Sequence, residues 1–164
     1  MNSYKPYTIT IDKDGAWYYN GRQIIHPTVL RLFNDGLSRH NDGTYHLEVD
    51  GDHTTVEVED APIVVRGVMP VMDRDDGLLG FILALSDDTK EALDPETLTI
   101  NEKNIPYCMV KREGLNAPRG LPARFASKAY YALAEYIRHD EDENTYFIET
   151  VRKKFTIPYQ GADT

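Results

Sequence analysis

The same order of predicted elements occurs twice along the chain, and this repetition limits the possible folds more than any other feature. A strand, a turn, a helix and a hairpin follow one another between residues 7 and 58, and a similar order returns between residues 106 and 157. The strand Thr44-Tyr45-His46-Leu47-Glu48 has a counterpart in Thr145-Tyr146-Phe147-Ile148-Glu149. Because order, spacing and the Thr-Tyr-x-x-Glu pattern agree, the repetition predicts a duplicated unit. The alternative is chance similarity between short amphipathic elements.

The first copy is defined by alternation and by turn residues. Alternating Thr, Tyr and Ile residues predict a strand at residues 7–11, and a second strand is expected at Trp17–Tyr19. Pro27 opens a helix at the position where proline is best tolerated. The apolar face of this helix is predicted to consist of Val29, Leu30, Leu32, Phe33 and Leu37.

A hairpin closes the first copy. Pairing Leu47 with Val56 leaves residues 50–53 as a four-residue loop and keeps the apolar residues on one face. The same register sets His46 opposite Glu57 on the other face.

Between the copies, residues 63–65 and residues 78–85 predict a further hairpin with residues 73–77 at its tip. Residues 78–85 are apolar on both faces, which is typical of a strand inside a sheet.

In the second copy, Pro106-Tyr107 is the predicted counterpart of Pro6-Tyr7, and residues 111–114 form the turn that follows. Pairing Ile148 with Ile157 leaves residues 151–154 as a second four-residue loop. The helix of this copy is predicted from apolar residues at helical spacing, namely Phe125, Ala126, Ala129, Tyr130, Leu133 and Ile137.

These patterns predict an α+β fold of two structurally similar repeats, each with antiparallel strands and one helix, packed into one compact body. The N-terminal repeat is expected at residues 1–66 and the C-terminal repeat at residues 67–164, with the strands at the boundary shared.

Composition restricts the partners. The net charge of −9 argues against nucleic acid and against an anionic membrane, since both attract a basic surface. The single cysteine, Cys108, excludes an internal disulfide, and its apolar neighbours predict a small buried side chain in a strand. Residues 1–6 lack the pattern of a signal peptide, and residues 78–85 are too short to span a bilayer. A cytoplasmic location is the expectation.

The chain shows no pattern of a known catalytic site, phosphate loop or dinucleotide motif. We therefore predict no catalytic residues and no cofactor. His40, Asp42, His46 and His53 lie close in sequence, but their spacing is not that of a zinc site and the acidic turns do not fit a calcium loop. No metal site is predicted, and surface histidines beside carboxylates are the favoured interpretation.

One candidate site involves Arg31 on the polar side of the first helix. Its guanidinium is a candidate partner for Glu59 or Asp60, or for an anionic ligand held through paired hydrogen bonds. The internal ion pair is the favoured alternative. Glu59 and Asp60 face opposite sides of a strand, so we favour a hydrogen bond between one of them and backbone groups at the turn before Pro62 over paired proton transfer.

A second candidate is a local excess of positive charge between residues 111 and 128, where the only acid is Glu113. Arg119, Arg124 and Lys128, with the nearby Tyr131, are candidates for holding an anionic ligand or an acidic partner. Neutralisation of the protein's own acidic surface is the alternative.

One segment resembles a known bacterial family. The residues that carry the likeness are Asp14-Gly15-x-Trp17, Gly21, Arg31-Leu32-Phe33, Asp42-Gly43-x-Tyr45 and Val58-Glu59-Asp60-Ala61-Pro62. In this order and spacing they are similar to the domain of unknown function 1285 family, over about residues 11–67. The chain departs from the family pattern in the loops at residues 49–53 and 151–154, whose roles the sequence does not determine.

The resemblance implies a fold of two related α+β repeats with a ligand-binding or signalling role, and it implies no established activity. The candidates Arg31, Tyr45, Glu59 and Asp60 all lie within the matching segment. We therefore expect a protein of unknown function that is a non-enzymatic binding module with a regulatory role. An anionic small molecule or an acidic protein is the expected partner. A small enzyme with a carboxylate and histidine site in a cleft between the repeats is the alternative, and a homo-oligomer stays open.

Overall fold

The computed structural model describes residues 8–160, which form two compact units. Of the described residues, the first unit contains 8–62 and Lys111–Leu121, and the second contains Ile63–Val110 and 122–160. The units follow spatial contacts and are not contiguous in sequence. The predicted boundary between the repeats at residue 66 stays a prediction.

The first unit contains a six-stranded sheet with the strand order β3-β2-β1-β6-β5-β4 and one helix. The parallel pair of this sheet is β1 with β6, and its other pairs are antiparallel. The elements are β1 (Ile9–Ile11), β2 (Trp17–Tyr19), β3 (Arg22–Gln23), α1 (Pro27–Gly36), β4 (Leu37–Arg39), β5 (Tyr45–Val49) and β6 (Asp52–Val58).

Helix α1 begins at Pro27, as predicted, and the Nδ1 of His26 accepts a hydrogen bond from the Thr28 N–H at 3.2 Å. No residue of α1 is fully buried. Two predicted members of its apolar face are wrong, because Leu32 is 48% exposed and Leu37 belongs to β4. The helix ends at Gly36, and the edge strand begins at the next residue. The helical spacing of the apolar residues therefore extends beyond the end of the helix itself.

The predicted register of the first hairpin is wrong by two residues. Tyr45 pairs with Val56 and His46 pairs with Thr55, so His46 does not face Glu57. The loop consists of Asp50 and Gly51 alone, whose φ angles are 53° and 84°. An Asp-Gly pair with both φ angles positive forms the tight turn whose twist matches the strands, and this turn outweighs the symmetric apolar pairing.

The second unit contains a six-stranded sheet with the order β10-β11-β12-β7-β8-β9, a three-stranded sheet with the order β13-β14-β15, and one helix. Strand β8 lies between β7 and β9, which confirms that residues 78–85 are inside a sheet. The elements are β7 (Ile63–Met72), β8 (Leu78–Leu85), β9 (Lys90–Ala92), β10 (Thr99–Ile100), β11 (Pro106–Val110), β12 (Leu121–Phe125), α2 (Ser127–Ala134), β13 (Ile137–Asp140), β14 (Thr145–Glu149) and β15 (Lys154–Ile157).

Two details predicted for the second copy are wrong. Phe125 and Ile137 lie in strands on either side of α2, so the apolar spacing overestimated the length of the helix. Ile148 pairs with Phe155 and not with Ile157, which leaves residues 150–153 as the loop. This loop has the predicted length, and the Thr150 N–H donates to the Lys153 carbonyl at 2.9 Å to close it.

The duplication is confirmed, with one change in alignment. Ile11 pairs with Trp17 and runs parallel to β6, and Ile100 pairs with Pro106 and forms a parallel bridge to Tyr159 after β15. Tyr107 therefore corresponds to Tyr18, and the predicted counterparts Pro6 and Tyr7 lie outside the described residues. Tyr45 corresponds to Tyr146, as predicted. Tyr45 pairs with Val56, two residues before the residue that pairs with Ile11, and Tyr146 pairs with Ile157, two residues before the residue that pairs with Ile100.

Candidate functional site

Arg39 and Tyr45 form a directly opposed pair on the antiparallel strands β4 and β5. The next pair along these strands on the same face is Leu37 with Leu47, and both leucines are buried. Because alternate residues of a strand share a face, Arg39 and Tyr45 lie on the core side of the sheet. Both side chains are half-buried there. An arginine is thus placed where the sheet otherwise carries apolar residues.

The backbone around Arg39 is held by Asn116, which belongs to a short turn at Gly114–Asn116. The Asn116 side chain accepts from the Arg39 N–H at 2.9 Å and donates to the Leu37 carbonyl at 3.2 Å. β4 is an edge strand, and no further strand of the described sheet pairs with it. The two bonds therefore supply hydrogen-bond partners for the Arg39 N–H and the Leu37 carbonyl at this edge. The position of Arg39 is therefore fixed by contacts to its backbone.

The side chain of Arg39 is less well satisfied. Its Nε is buried and has no hydrogen-bond partner within the described residues. A buried donor without a partner destabilises a protein by about 1–3 kcal/mol, and more when the group is charged. Such a group in a folded protein requires an explanation, and a ligand that accepts a hydrogen bond is one.

The phenol of Tyr45 is a hydrogen-bond donor at neutral pH. Burial raises the pKa of Tyr45, the positive charge of Arg39 lowers it by a smaller amount, and the negative charge of Asp60, the weakest of the three effects, raises it again. The net effect is an increase, so the phenol keeps its proton. The site therefore presents one cationic and one neutral donor group, with a carboxylate nearby.

Of the residues predicted around this site, the structure brings Tyr45 and Asp60 close enough to interact. The exposed Glu59 bonds elsewhere, because its Oε2 accepts from the Lys13 N–H at 3.0 Å. The prediction places a bond of this type at the turn before Pro62, whereas the backbone partner of Glu59 lies 46 residues away in the chain. Arg31 is exposed on α1 and makes no ion pair with Glu59 or Asp60 among residues 8–160.

The predicted basic group is divided between the units. Arg119 lies on an exposed loop of the first unit, and Arg124, Lys128 and Tyr131 belong to the second. Tyr131 is 71% exposed and stacks on Tyr130 with ring centroids 6.3 Å apart. Neither unit alone assembles this set.

A cavity of about 230 Å³ lies between α1 and the β5–β6 hairpin in the first unit. Its walls are mostly apolar and aromatic, and it also carries two carboxylates. The lining residues are Ile9, Tyr19, Phe33, Leu47, Val49, Asp50, Asp52 and Thr54.

Two of the histidines that lie close in sequence, His40 and His46, are in contact, whereas His53 Nε2 lies 3.6 Å from Glu48 Oε1. The rings of His40 and His46 stack with centroids 3.6 Å apart, and His46 Nε2 lies 2.9 Å from the Thr44 hydroxyl. That hydroxyl donates to Asp42, which lowers the pKa of Asp42. No group of three His, Cys, Asp or Glu residues in the described part of the chain could hold a metal ion.

Sequence reasoning missed Arg39 and the cavity. The signal for Arg39 is its spacing of two from Leu37, but the helical spacing predicts that Leu37 belongs to the helix and so conceals the strand. Asp50 and Asp52 were assigned to a loop, although Asp52 begins β6.

Part of the first unit is similar to a known protein family. Residues 3–61 match the model described as domain of unknown function (DUF1285), N-terminal domain. No curated protein matches the chain. No helix among residues 8–160 has the length and hydropathy to cross a bilayer.

Two solved structures are similar. A DUF1285 family protein from Shewanella baltica OS155 is 20% identical with a TM-score of 0.61, and the match covers 79% of this chain and 92% of that chain. A DUF1285 family protein from Silicibacter pomeroyi DSS-3 is 18% identical with a TM-score of 0.69, over 92% of this chain and 78% of that chain. At these identities the likeness concerns the fold. The resemblance predicted from the sequence is therefore confirmed: residues 3–61 match the model of the DUF1285 N-terminal domain, and the fold of the chain is similar to that of solved DUF1285 family proteins.

Proposed function

We propose that this chain is a non-enzymatic binding module that recognises a small anionic group at Arg39 and Tyr45. The observation that carries the proposal is the buried Nε of Arg39, which has no partner among the described residues. An anionic oxygen that binds the half-buried Arg39 side chain compensates the charge of the guanidinium, and a shift of that side chain brings its buried Nε within reach of the same oxygen. The protonated phenol of Tyr45, directly opposite, supplies a second donor.

The chemistry is that of a carboxylate or a phosphate, because a guanidinium fits the oxygens of either group. The neighbouring Asp60 reduces the positive potential of the site. We therefore expect a singly charged group to bind more tightly than a doubly charged one. A regulatory role and a cytoplasmic location are part of the same proposal.

Binding is tested by titrating the protein with acetate and with inorganic phosphate. Trp17 is the only tryptophan and is buried in the first unit, so its fluorescence reports on this unit, and calorimetry supplies an independent measurement. Arg39→Gln removes the charge and Nε, and Tyr45→Phe removes only the hydroxyl. A charge-assisted hydrogen bond contributes about 1.5–3 kcal/mol, so Arg39→Gln should weaken binding about 10-fold to 100-fold.

Arg31→Gln is the matched control, because it makes the same change in charge at an exposed position of the same unit. Equal loss of binding in Arg31→Gln and Arg39→Gln would mean that only the overall charge matters, and would refute the site. Absence of binding by the unmodified protein would refute the proposed function. An acidic protein partner and self-association are separate outcomes, which light scattering with and without anion distinguishes.

A further inference from the structure

The cavity between α1 and the β5–β6 hairpin is suited to a different ligand. We infer that it binds a small organic cation, an ammonium group with apolar substituents. This inference does not depend on the anion site, since no lining residue of the cavity belongs to that site.

The walls of the cavity are apolar. Ile9 and Leu47 form its buried part, and Phe33 and Val49 line it half-buried. Helix α1 has an apolar side but no fully buried residue, so it does not close over the sheet at this point. A volume of about 230 Å³ is below the usual range for drug-sized ligands and is suitable for a compact one.

The charged residues that line the cavity are Asp50 and Asp52, and both are acidic. Asp52 pairs with Val49. The pair two positions along the strands is Thr54 with the buried Leu47. Because alternate residues of a strand share a face, Asp52 lies on the core face of the sheet. Asp50 and Asp52 are both exposed, so an occupant of the cavity meets their negative charge on its solvent-facing side. Charge complementarity therefore favours a cationic occupant.

Two aromatic rings complete the site. Tyr19 lies at the opening and is 44% exposed, and Phe33 lies on the helix side. Phe33 packs edge-on against Trp17 with centroids 5.5 Å apart and an interplanar angle of 62°, which restrains its ring. Aromatic faces attract alkylated ammonium groups and, with carboxylates, form the type of cage that binds them.

The test compares choline with 3,3-dimethylbutan-1-ol, which has the same shape but no charge. Calorimetry and the fluorescence of Trp17 should show that choline binds at least about tenfold more tightly than the neutral alcohol. Asp50→Asn and Asp52→Asn should each weaken choline binding several-fold. Asn-Gly also favours the two-residue turn, so Asp50→Asn removes charge and keeps the hairpin.

Asp75→Asn, in an exposed turn of the second unit, is the matched control and should leave choline binding unchanged. Equal affinity for choline and the neutral alcohol would reduce the cavity to an apolar pocket and refute the inference. Absence of choline binding, or equal effects of Asp52→Asn and Asp75→Asn, would also refute it.

Discussion

Asp12 and Asn101 occupy equivalent turns and make the same hydrogen bonds. The Oδ1 of Asp12 accepts from the N–H groups of Asp14 at 2.9 Å and Ala16 at 3.0 Å. The Oδ1 of Asn101 accepts from Lys103 and Ile105, both at 2.9 Å. Each turn follows an isoleucine that pairs in parallel with a residue at the end of the same repeat. Ile11 pairs with Val58, and Ile100 pairs with Tyr159. The duplication thus extends to single hydrogen bonds, although the side chains differ in charge.

A third turn of this kind begins at Asp73, whose Oδ1 accepts from Asp75 at 2.9 Å and from Gly77 at 2.7 Å. In all three turns the fourth residue has a positive φ, at Gly15 (83°), Asn104 (63°) and Asp76 (62°). Asp, Asn and Gly tolerate this conformation best, and an Asp or Asn side chain at the first position supplies the acceptor. The same local chemistry therefore builds hairpins throughout the chain.

Asp12 should make the stability of the protein depend on pH, whereas Asn101 cannot. Burial raises the pKa of Asp12, but hydrogen bonds from Ala16, Tyr18 and Asp14 outweigh it, and the pKa lies below the ordinary value of 3.8. Folding therefore favours the carboxylate, and the resulting stabilisation is present above pH 3.8 and is lost as the pH falls towards the folded pKa. We expect Asp12→Asn to be less stable than the unmodified protein at pH 7, and the difference to shrink below pH 3.8.

Urea unfolding at a series of pH values measures this difference. Asp12→Asn keeps the oxygen that accepts from Asp14 and Ala16, so the turn itself is preserved, as in Asn101. Asp14→Asn in the same turn is the control for net charge. A stability difference for Asp12→Asn that stays constant from neutral to acidic pH would contradict the assignment.

Gly36 is required by the close approach of α1 to β5. A Cβ at this position would lie 2.2 Å from the carbonyl oxygen of Glu48, which is backbone and cannot move aside cheaply. Alanine improves the intrinsic helix propensity by up to about 1 kcal/mol, but overpacking costs about 1–3 kcal/mol. We expect Gly36→Ala to lower the free energy of unfolding by about 1–3 kcal/mol.

Gly80→Ala is the matched control, because nothing lies within 4 Å of the added Cβ. Thermal unfolding of both variants suffices. If Gly36→Ala were as stable as Gly80→Ala, helix α1 would have to be free to shift away from β5.

The features that the sequence predicts well depend on local chemistry. The strand at Trp17–Tyr19, the helix start at Pro27 and the equivalence of Tyr45 with Tyr146 are all present. Each follows from residues close in sequence, through alternation, proline geometry or turn composition.

The features that the sequence predicts poorly depend on whether a residue belongs to a helix or to the strand that follows it. Leu37 continues the helical spacing of α1, yet it pairs with Leu47 in a strand, next to the point where Gly36 lets the backbone approach Glu48 closely. Once Leu37 is assigned to the helix, nothing in the sequence places Arg39 opposite Tyr45. The candidate anion site therefore depends on a strand that the helical spacing conceals, and the register of that strand follows from the buried pair of Leu37 and Leu47.

The indole of Trp17 depends on one side chain of α1. Its Nε1 donates to Asn34 Oδ1 at 3.2 Å, and Asn34 Nδ2 donates to the Leu30 carbonyl at 2.9 Å. Trp17 is 2% exposed, so Asn34→Ala leaves a buried donor without this acceptor. We expect a loss of about 1–3 kcal/mol in the free energy of unfolding, measured by denaturant titration. The exposed neighbour Asp35→Ala is the control, and equal losses in the two variants would show that helix propensity alone is responsible.

Cys108 should react only when the second unit opens. It is 1% exposed on β11, and burial, followed by the negative charges of Glu91 and Asp94, raises the pKa of its thiol to about 12. The thiolate is the reactive form, and its fraction at neutral pH is negligible both because of this pKa and because reagent cannot reach the sulfur. Labelling with a chromogenic disulfide should therefore be slow in the native protein and rapid in urea. Its native rate should follow the stability of the sheet that contains β11, so that destabilising variants of the second unit label faster. Rapid labelling of the native protein would contradict both the burial of Cys108 and its role as a small core residue.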